Sequence, residues 1–250
     1  MQDRFAGYPS LSRRAVLVTG GASGIGASIV AHFARQGSRV AFLDFDEAAG
    51  SRVAEATGAQ FLPCDLRDIA ALRAAVAEAG SRIGDITVLV NNAARDDRHA
   101  LETVEPDYWD ERIATNLRHQ FFCAQAVVPM MRRAGGGSIV NLGSVSWINR
   151  TGGMPAYTAA KAGVRGLTRG LARDLGPDRI RVNEVVPGWV ITERQRSLWL
   201  TPEADADRDR RQCLKGHLHP DDIARMVLWL AADDSAMVTA QSFTVDAGGS

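Results

Sequence analysis

The stretch Thr19-Gly20-Gly21-Ala22-Ser23-Gly24-Ile25-Gly26 decides the fold through what stands on either side of it. Before it, Ala15 to Thr19 is a short apolar, β-branched run, the composition of a buried strand. After it, a helical pattern continues through Gln36 and stops at Gly37, a residue suited to cap a helix C-terminus. Strand, glycine turn and helix in that order suit a pyrophosphate, which must approach the backbone closely and rest on the free amides and positive dipole of a helix N-terminus. A glycine-rich turn by itself is weak grounds. It is strengthened by Asp44, which ends a second strand eighteen residues after Gly26, near the spacing at which an acid accepts the hydroxyls of an adenosine ribose. Gly20, Ser23, Gly24, Ile25, Gly26 and Asp44 are therefore the first candidate ligand-binding residues.

Further apolar runs follow at 59–63, 86–91, 138–142, 181–186 and 242–245, with helical stretches between them. Strands that are almost continuously hydrophobic and separated by helices describe a parallel sheet covered on both faces, because each crossover needs a helix. The expectation is a doubly wound α/β fold with a seven-stranded parallel sheet, forming one domain over residues 1–250. Its length and 46% hydrophobic content suffice for one sizeable core. Residues 189–220 lack a clear period and are rich in charge, which suggests a mobile substrate lid or, in the plainer reading, a solvated excursion with a short helix.

Asp44 also bears on which dinucleotide binds. A carboxylate there would face the extra phosphate of NADP and repel it, and neither Ser23 nor Phe45 offers that phosphate a cation, so NAD is preferred. Asp65 and Leu66 follow the third strand and Asn92 follows the fourth, where strand carboxyl ends form the ligand crevice. Asp65 suits either an adenine amino group or the N-cap of the next helix. Lys plus Arg equals Asp plus Glu at 29 each, so no charge excess argues for nucleic acid or an anionic membrane. The segment Met1 to Arg14 carries no apolar core of signal type and no later stretch suits a bilayer span, so a cytoplasmic location is expected. Cys64, Cys123 and Cys213 lie far apart and read as reduced packing residues. His217 and His219 lack a recognisable carboxylate partner, so no metal site is expected.

A second signature is Tyr157-Thr158-Ala159-Ala160-Lys161, which opens a helical pattern and places Tyr and Lys four apart on one face. A tyrosine has a pKa near 10, so acting as base at neutral pH requires lowering it by about three units, roughly 4 kcal/mol. A neighbouring ammonium and an oxidised nicotinamide are the groups that would do so.

With these residues in place the chain resembles the short-chain dehydrogenase/reductase family along essentially its whole length. The TGxxxGxG turn, Asn92-Ala93-Ala94, Asn116, Ser144, the Tyr157-to-Lys161 motif and Pro187-Gly188 carry the resemblance. It implies a Rossmann-like fold in which Tyr157 is the acid/base, and Lys161 lowers its pKa and holds the nicotinamide ribose. It also implies that Ser144 bonds the reacting oxygen, that Asn116 positions a relay water, and that Pro187, Val190 and Thr192 lie against the nicotinamide. A homotetramer is implied as well, with long helices such as Pro106 to Arg133 and Ala156 to Leu175 suited to pairing across a two-fold. Three positions depart from the pattern: Ala94 where Gly is frequent, Gly143 where Ser is common, and Glu184 inside an apolar strand where small residues are usual. Glu184 must pair, or point to solvent or to the cleft.

Several stretches resemble the bacterial aldose 1-dehydrogenases in particular: Asp96-Asp97-Arg98-His99, Tyr108 to Arg112, Asn116 to His119, Ser144 to Trp147 and Gln212 to Gly216. A sugar wants paired donors and acceptors over an aromatic or apolar surface, which Asp97, His99, Ser144, Trp147, Asn149, Tyr157, Trp189 and Arg194 would supply. Asp96, Arg98 and Gln195 belong to the same group. The expected reaction is NAD-dependent oxidation of an aldose such as D-galactose, D-xylose, L-arabinose or D-fucose at C1, giving the aldonolactone. The alternatives are a dehydrogenase of another secondary alcohol, a polyol or sugar acid, and a non-catalytic NAD-binding module.

Overall fold

The computed structural model describes residues 5–250, so the first four residues of the segment weighed above as a possible leader lie outside it. In chain order the elements are β1 (Ala15–Thr19), α1 (Gly24–Arg35), β2 (Arg39–Asp44), α2 (Glu47–Thr57), β3 (Gln60–Pro63), α3 (Ile69–Ile83) and β4 (Val88–Asn91). There follow α4 (Pro106–Ile113), α5 (His119–Arg133), β5 (Gly137–Leu142), α6 (Pro155–Leu175) and β6 (Ile180–Pro187). The chain closes with α7 (Glu193–Leu198), α8 (Pro202–Arg211), α9 (Pro220–Ala231) and β7 (Ser242–Val245). The seven strands form one parallel sheet in the order β3-β2-β1-β4-β5-β6-β7. The order reverses between β1 and β4, and the crevice outside their carboxyl ends is where such a fold binds ligands.

The sheet separates two cores. On one face Leu17, Leu89 and Ile139 pack with Leu72, Val76, Val127 and Met131 of α3 and α5. On the other, Val16, Val18, Val88 and Val140 pack with Ile29, Phe33, Ile223 and Val227 of α1 and α9. Alternate strand residues feed opposite cores because side chains alternate across the pleat, which is why all of β1 is buried. Helix starts are placed by short polar side chains that take up free amides: Asp46 for α2, Asp68 for α3, Thr192 for α7 and Thr201 for α8.

One row of the sheet is polar. Thr19, Asn91, Asn141, Glu184 and Ser242 stand side by side in register across β1, β4, β5, β6 and β7, on the face covered by α5 and α6. Asn91 donates to Asn141 at 2.9 Å and Asn141 to Thr168 of α6 at 3.0 Å, so the row ties the sheet to the helix that carries Tyr157.

Several expectations need correction. The single helix read over 106–133 is two helices joined by a π turn at Ala114–Arg118, where Asn116 donates to the Arg112 carbonyl at 2.9 Å. Strands read at 59–63 and 86–91 begin at Gln60 and Val88, and residues 189–220 hold two helices, α7 and α8, where only the plainer reading had a helix, and a single short one. Cys213 is exposed, unlike the buried Cys64 and Cys123. No helix among the described residues is long and apolar enough to cross a membrane.

Candidate active site and dinucleotide groove

The glycine turn is held by contacts that tolerate no side chain. Gly20 has φ +67° and a Cβ there would lie 2.7 Å from the Ala93 Cα; a Cβ on Gly26 would lie 1.8 Å from the Gly20 carbonyl oxygen. Asn92 donates to the carbonyls of Thr19 (3.0 Å) and Gly20 (2.9 Å), so its side chain fastens the turn to the end of β4. Ser23 begins α1 without capping it, leaving its hydroxyl and the first amides of the helix free. Asp44 Oδ2 accepts from the Ala22 amide at 3.0 Å and Oδ1 from the Asp46 amide at 3.1 Å. This cradle fits a pyrophosphate and an adenosine ribose.

Two cofactor candidates are engaged by the fold itself. Asp65 neither caps α3, which Asp68 does, nor is unpaired: the Arg67 guanidinium binds both its oxygens, at 2.6 to 3.0 Å, and holds the carboxyl below its usual range. Leu66 is buried in the core beside Leu62 and Cys64. Ile25, Asn92, Pro187, Val190 and Thr192 line a cleft of about 680 Å³ that runs from the glycine turn across the carboxyl ends of the strands.

Ser144, Tyr157 and Lys161 line the same cleft. Ser144 follows β5, its hydroxyl accepts from the Ser146 amide at 3.1 Å, and it stands near enough to the Tyr157 phenol to draw its pKa down. Tyr157 stands in the first turn of α6, started by Pro155. Lys161, one turn on, is 1% exposed; its Nζ donates to the Leu142 carbonyl at 2.7 Å and lies 5.8 Å from the Tyr157 ring centre. Burial pushes Tyr157 up to about 12, against the Ser144 hydrogen bond that pulls it down, with Asp96 adding to the rise and Arg98 opposing it. Burial lowers Lys161 to about 8, opposed by Glu184 and Asp96. The free chain therefore holds Tyr157 protonated. Asn116 is fully buried outside the cleft wall; its side chain accepts from the Arg95 amide at 2.8 Å and shapes the loop after β4.

Of the substrate candidates, Ser144, Asn149, Tyr157 and Trp189 face the cleft, and Asp97, His99, Trp147 and Arg194 do not. Asp97 is taken up by the buried Arg112 at 2.6 Å and by Arg194 at 2.7 Å. His99 packs on Tyr108, whose hydroxyl lies 3.1 Å from its Nδ1, and Trp147 lies under the Arg165 guanidinium, 5.7 Å from the ring centre. Asp96, Arg98 and Gln195 do line it. So do Trp199, which ends α7, and Arg208 and Gln212 of α8 and its C-cap; the last two escaped sequence reasoning because a charge-rich helix offers no period from which to choose a face. His217, read as unpartnered, lies 2.8 Å from Asp205.

The loop after β4 clasps the 189–220 segment. Gln195 donates to Asp96 at 2.7 Å and receives the Trp189 indole hydrogen at 2.8 Å, while Arg98 lies 5.1 Å from the Trp199 ring centre.

A glycine turn on α1, an acid ending β2 and a Ser-Tyr-Lys set on one cleft define a nucleotide-dependent oxidoreductase, and comparison with known proteins agrees. A family model described as enoyl-(acyl carrier protein) reductase matches residues 20–250. The chain belongs to the short-chain dehydrogenase/reductase family and is an oxidoreductase of CH–OH groups. It is 52% identical over 247 residues, 96% of each chain, to a protein of Rhizobium meliloti (strain 1021) named probable galactose dehydrogenase GalD. It is 50% identical over 246 residues to D-xylose 1-dehydrogenase of Caulobacter vibrioides, covering 96% of this chain and 97% of that one. A solved short-chain dehydrogenase/reductase of Serratia marcescens, a double mutant, superposes with a TM-score of 0.87 at 34% identity, over 96% of this chain and 98% of that chain.

Proposed function

We propose that this protein oxidises an aldose at C1 to the aldonolactone with NAD as acceptor. The observation that carries the reading is the single cleft in which the Ser144–Tyr157 pair meets a polar wall of Asp96, Asn149 and Gln195 beside the Trp189 ring. Neutral, hydroxyl-rich ligands need such mixed donors and acceptors over an apolar surface, and the relatives named for galactose and xylose support that chemistry. NAD bound along the glycine turn supplies the hydride acceptor and a positive charge that the free chain lacks.

Tyr157 takes the proton of the C1 hydroxyl, and the Ser144 hydroxyl donates to the oxygen as negative charge develops on it. Lys161 keeps a cation under the phenol and donates toward the cofactor ribose. The 12-to-neutral gap at Tyr157 is too large for Ser144 alone, so turnover waits on both cations. Asn116 acts through the loop it shapes. Asp44, with no cation beside it in the turn, favours NAD over NADP. We further infer a cytoplasmic homotetramer of single-domain chains in which 189–220, clasped by Asp96 and Asp97, closes over the sugar.

The test is reduction of NAD and, separately, NADP by purified protein with D-galactose, D-xylose, L-arabinose, D-fucose, a polyol and a secondary alcohol. The reading expects one aldose to reduce NAD well above NADP, with lactone as first product. Turnover of the polyol or alcohol alone would discard the sugar and keep the dehydrogenase.

A further inference from the structure

Two residues that depart from the family pattern meet in space. The Glu184 carboxyl, 0% exposed in the middle of β6, reaches beneath the turn that carries Ser144, and a Cβ on Gly143 would lie 2.1 Å from its Oε1. Gly143 is thus the residue that leaves room for the acid. Oε2 accepts from the Ser242 hydroxyl at 2.5 Å, whereas Oε1 has no hydrogen-bond partner among the described residues. A half-satisfied buried carboxyl costs stability unless a charge nearby compensates it. Burial pushes the Glu184 carboxyl up, and against it act the Ser242 hydrogen bond and two cations of α6, Arg165, spread over Trp147, and Lys161.

We propose that Glu184 is a positioning residue for the hydride-transfer site: its buried carboxylate is the counter-charge that keeps the Lys161 ammonium beneath Tyr157. Lys161 donates to the Leu142 carbonyl at 2.7 Å and Glu184 Oε1 lies under the next residue, Gly143, so the two groups flank one short stretch of chain with no hydrogen bond between them, and the influence passes through space. The groups that face Lys161 are Glu184 from β6, Asp96 from the loop after β4, His119 from α5, and Tyr157 on its own helix. Burial holds the His119 imidazole neutral down to about 3, and Asp96 is shared with Gln195 and Arg194 at the cleft wall. Glu184 therefore stands as the enclosed anion behind the ammonium. The sign follows: a neutral group at 184 makes the Lys161 proton easier to lose, so the fraction of enzyme with a cation under Tyr157 falls off at lower pH.

The consequence rests on Tyr157 and Lys161 being the acting pair, but the primary readout does not need turnover. The chain contains only two lysines, Lys161 and the exposed Lys215, so protein labelled at the lysine ε-carbon gives two NMR signals, one of them an internal control. In Glu184→Gln the Lys161 midpoint is expected to fall by about one pH unit, with Lys215 unmoved. The alkaline limb of kcat at saturating cofactor should move down by a similar amount. The double variant Gly143→Ser/Glu184→Ala refills the space without a carboxyl and is expected to show the same Lys161 shift, which carries the test should Glu184→Gln fail to fold. A Lys161 midpoint unchanged in either folded variant overturns the proposal, and means that Glu184 is neutral or its field does not reach. A fully active Tyr157→Phe would instead overturn the catalytic assignment, leaving the Lys161 titration to be judged on its own.

Discussion

The Asp44 carboxylate accepts the Ala22 amide at 3.0 Å, so the acid that ends β2 and the glycine turn that opens α1 form one unit. Its Oδ1 bonds the Asp46 amide, which fixes the carboxylate at the edge of the groove, and Phe45 beside it is exposed. Replacing Asp44 by Ser removes the negative charge while keeping a small polar group. The NADP-to-NAD ratio of kcat/KM should then rise by about tenfold, equivalent to roughly 1.4 kcal/mol. An unchanged ratio would show that discrimination lies elsewhere.

Tyr157→Phe keeps the ring packed over Lys161 and removes the oxygen that takes the proton. A loss of about 10² to 10⁴ in kcat is expected, the usual contribution of a positioned acid/base, with cofactor affinity nearly unchanged. Absorbance of the reduced cofactor and a fluorescence titration with NAD separate the two effects.

Stability should depend on pH through His119. The imidazole is fully buried, with Nε2 3.1 Å from the Ala93 carbonyl, which can only accept, so the neutral ring carries its proton there. Burial and then Lys161 lower its pKa to about 3. A histidine held neutral when folded contributes stability above its unfolded pKa near 6.5, and that contribution drains away as pH falls toward the folded value. From pH 7 to pH 5 the protein should lose about 2 kcal/mol on this account. Urea unfolding at the two pH values should show a smaller difference for His119→Asn; equal differences would assign the acid sensitivity to another group.

Gly26→Ala drives a methyl to 1.8 Å from the Gly20 carbonyl, which itself accepts from Asn92. The turn must open, at a cost of about 1–3 kcal/mol. Thermal melting should fall, and NAD affinity should fall with it. A variant with wild-type melting and affinity would mean that the turn is softer than its contacts require.

Arg194→Ala cuts the Arg194 clasps on Asp96 and Asp97, between α7 and the loop after β4, while Arg194 itself lies outside the cleft wall and Asp96 keeps Gln195. The KM for the sugar should rise several-fold while kcat changes little, because Asp97 retains Arg112. A fall in kcat with constant KM would place Arg194 in the chemical step instead.

Features carried by local pattern were legible in the amino-acid sequence. The strand-turn-helix from Ala15 to Gln36 and the Tyr157-Lys161 face depend on residues within a turn or two of one another, and the acid at 44 and the parallel sheet on the order in which such short patterns follow each other. Period, capping and glycine requirements are short-range physics, so they are written in short stretches. Tertiary structure alone decided which polar side chains are free. Asp97 and His99 looked like sugar ligands until Arg112 and Tyr108, folded in from α4, claimed them. Asp65 suited two readings, and the N-cap one failed because Asp68 caps α3. Arg208 and Gln212 reach the cleft only because α8 is carried across it. The same holds for Gly143 and Glu184, 41 residues apart along the chain and each an oddity alone, which become one feature when β5 and β6 pair. A hydrogen bond or a charge is satisfied by whichever partner packing brings within a few ångströms, and that is a property of the whole fold.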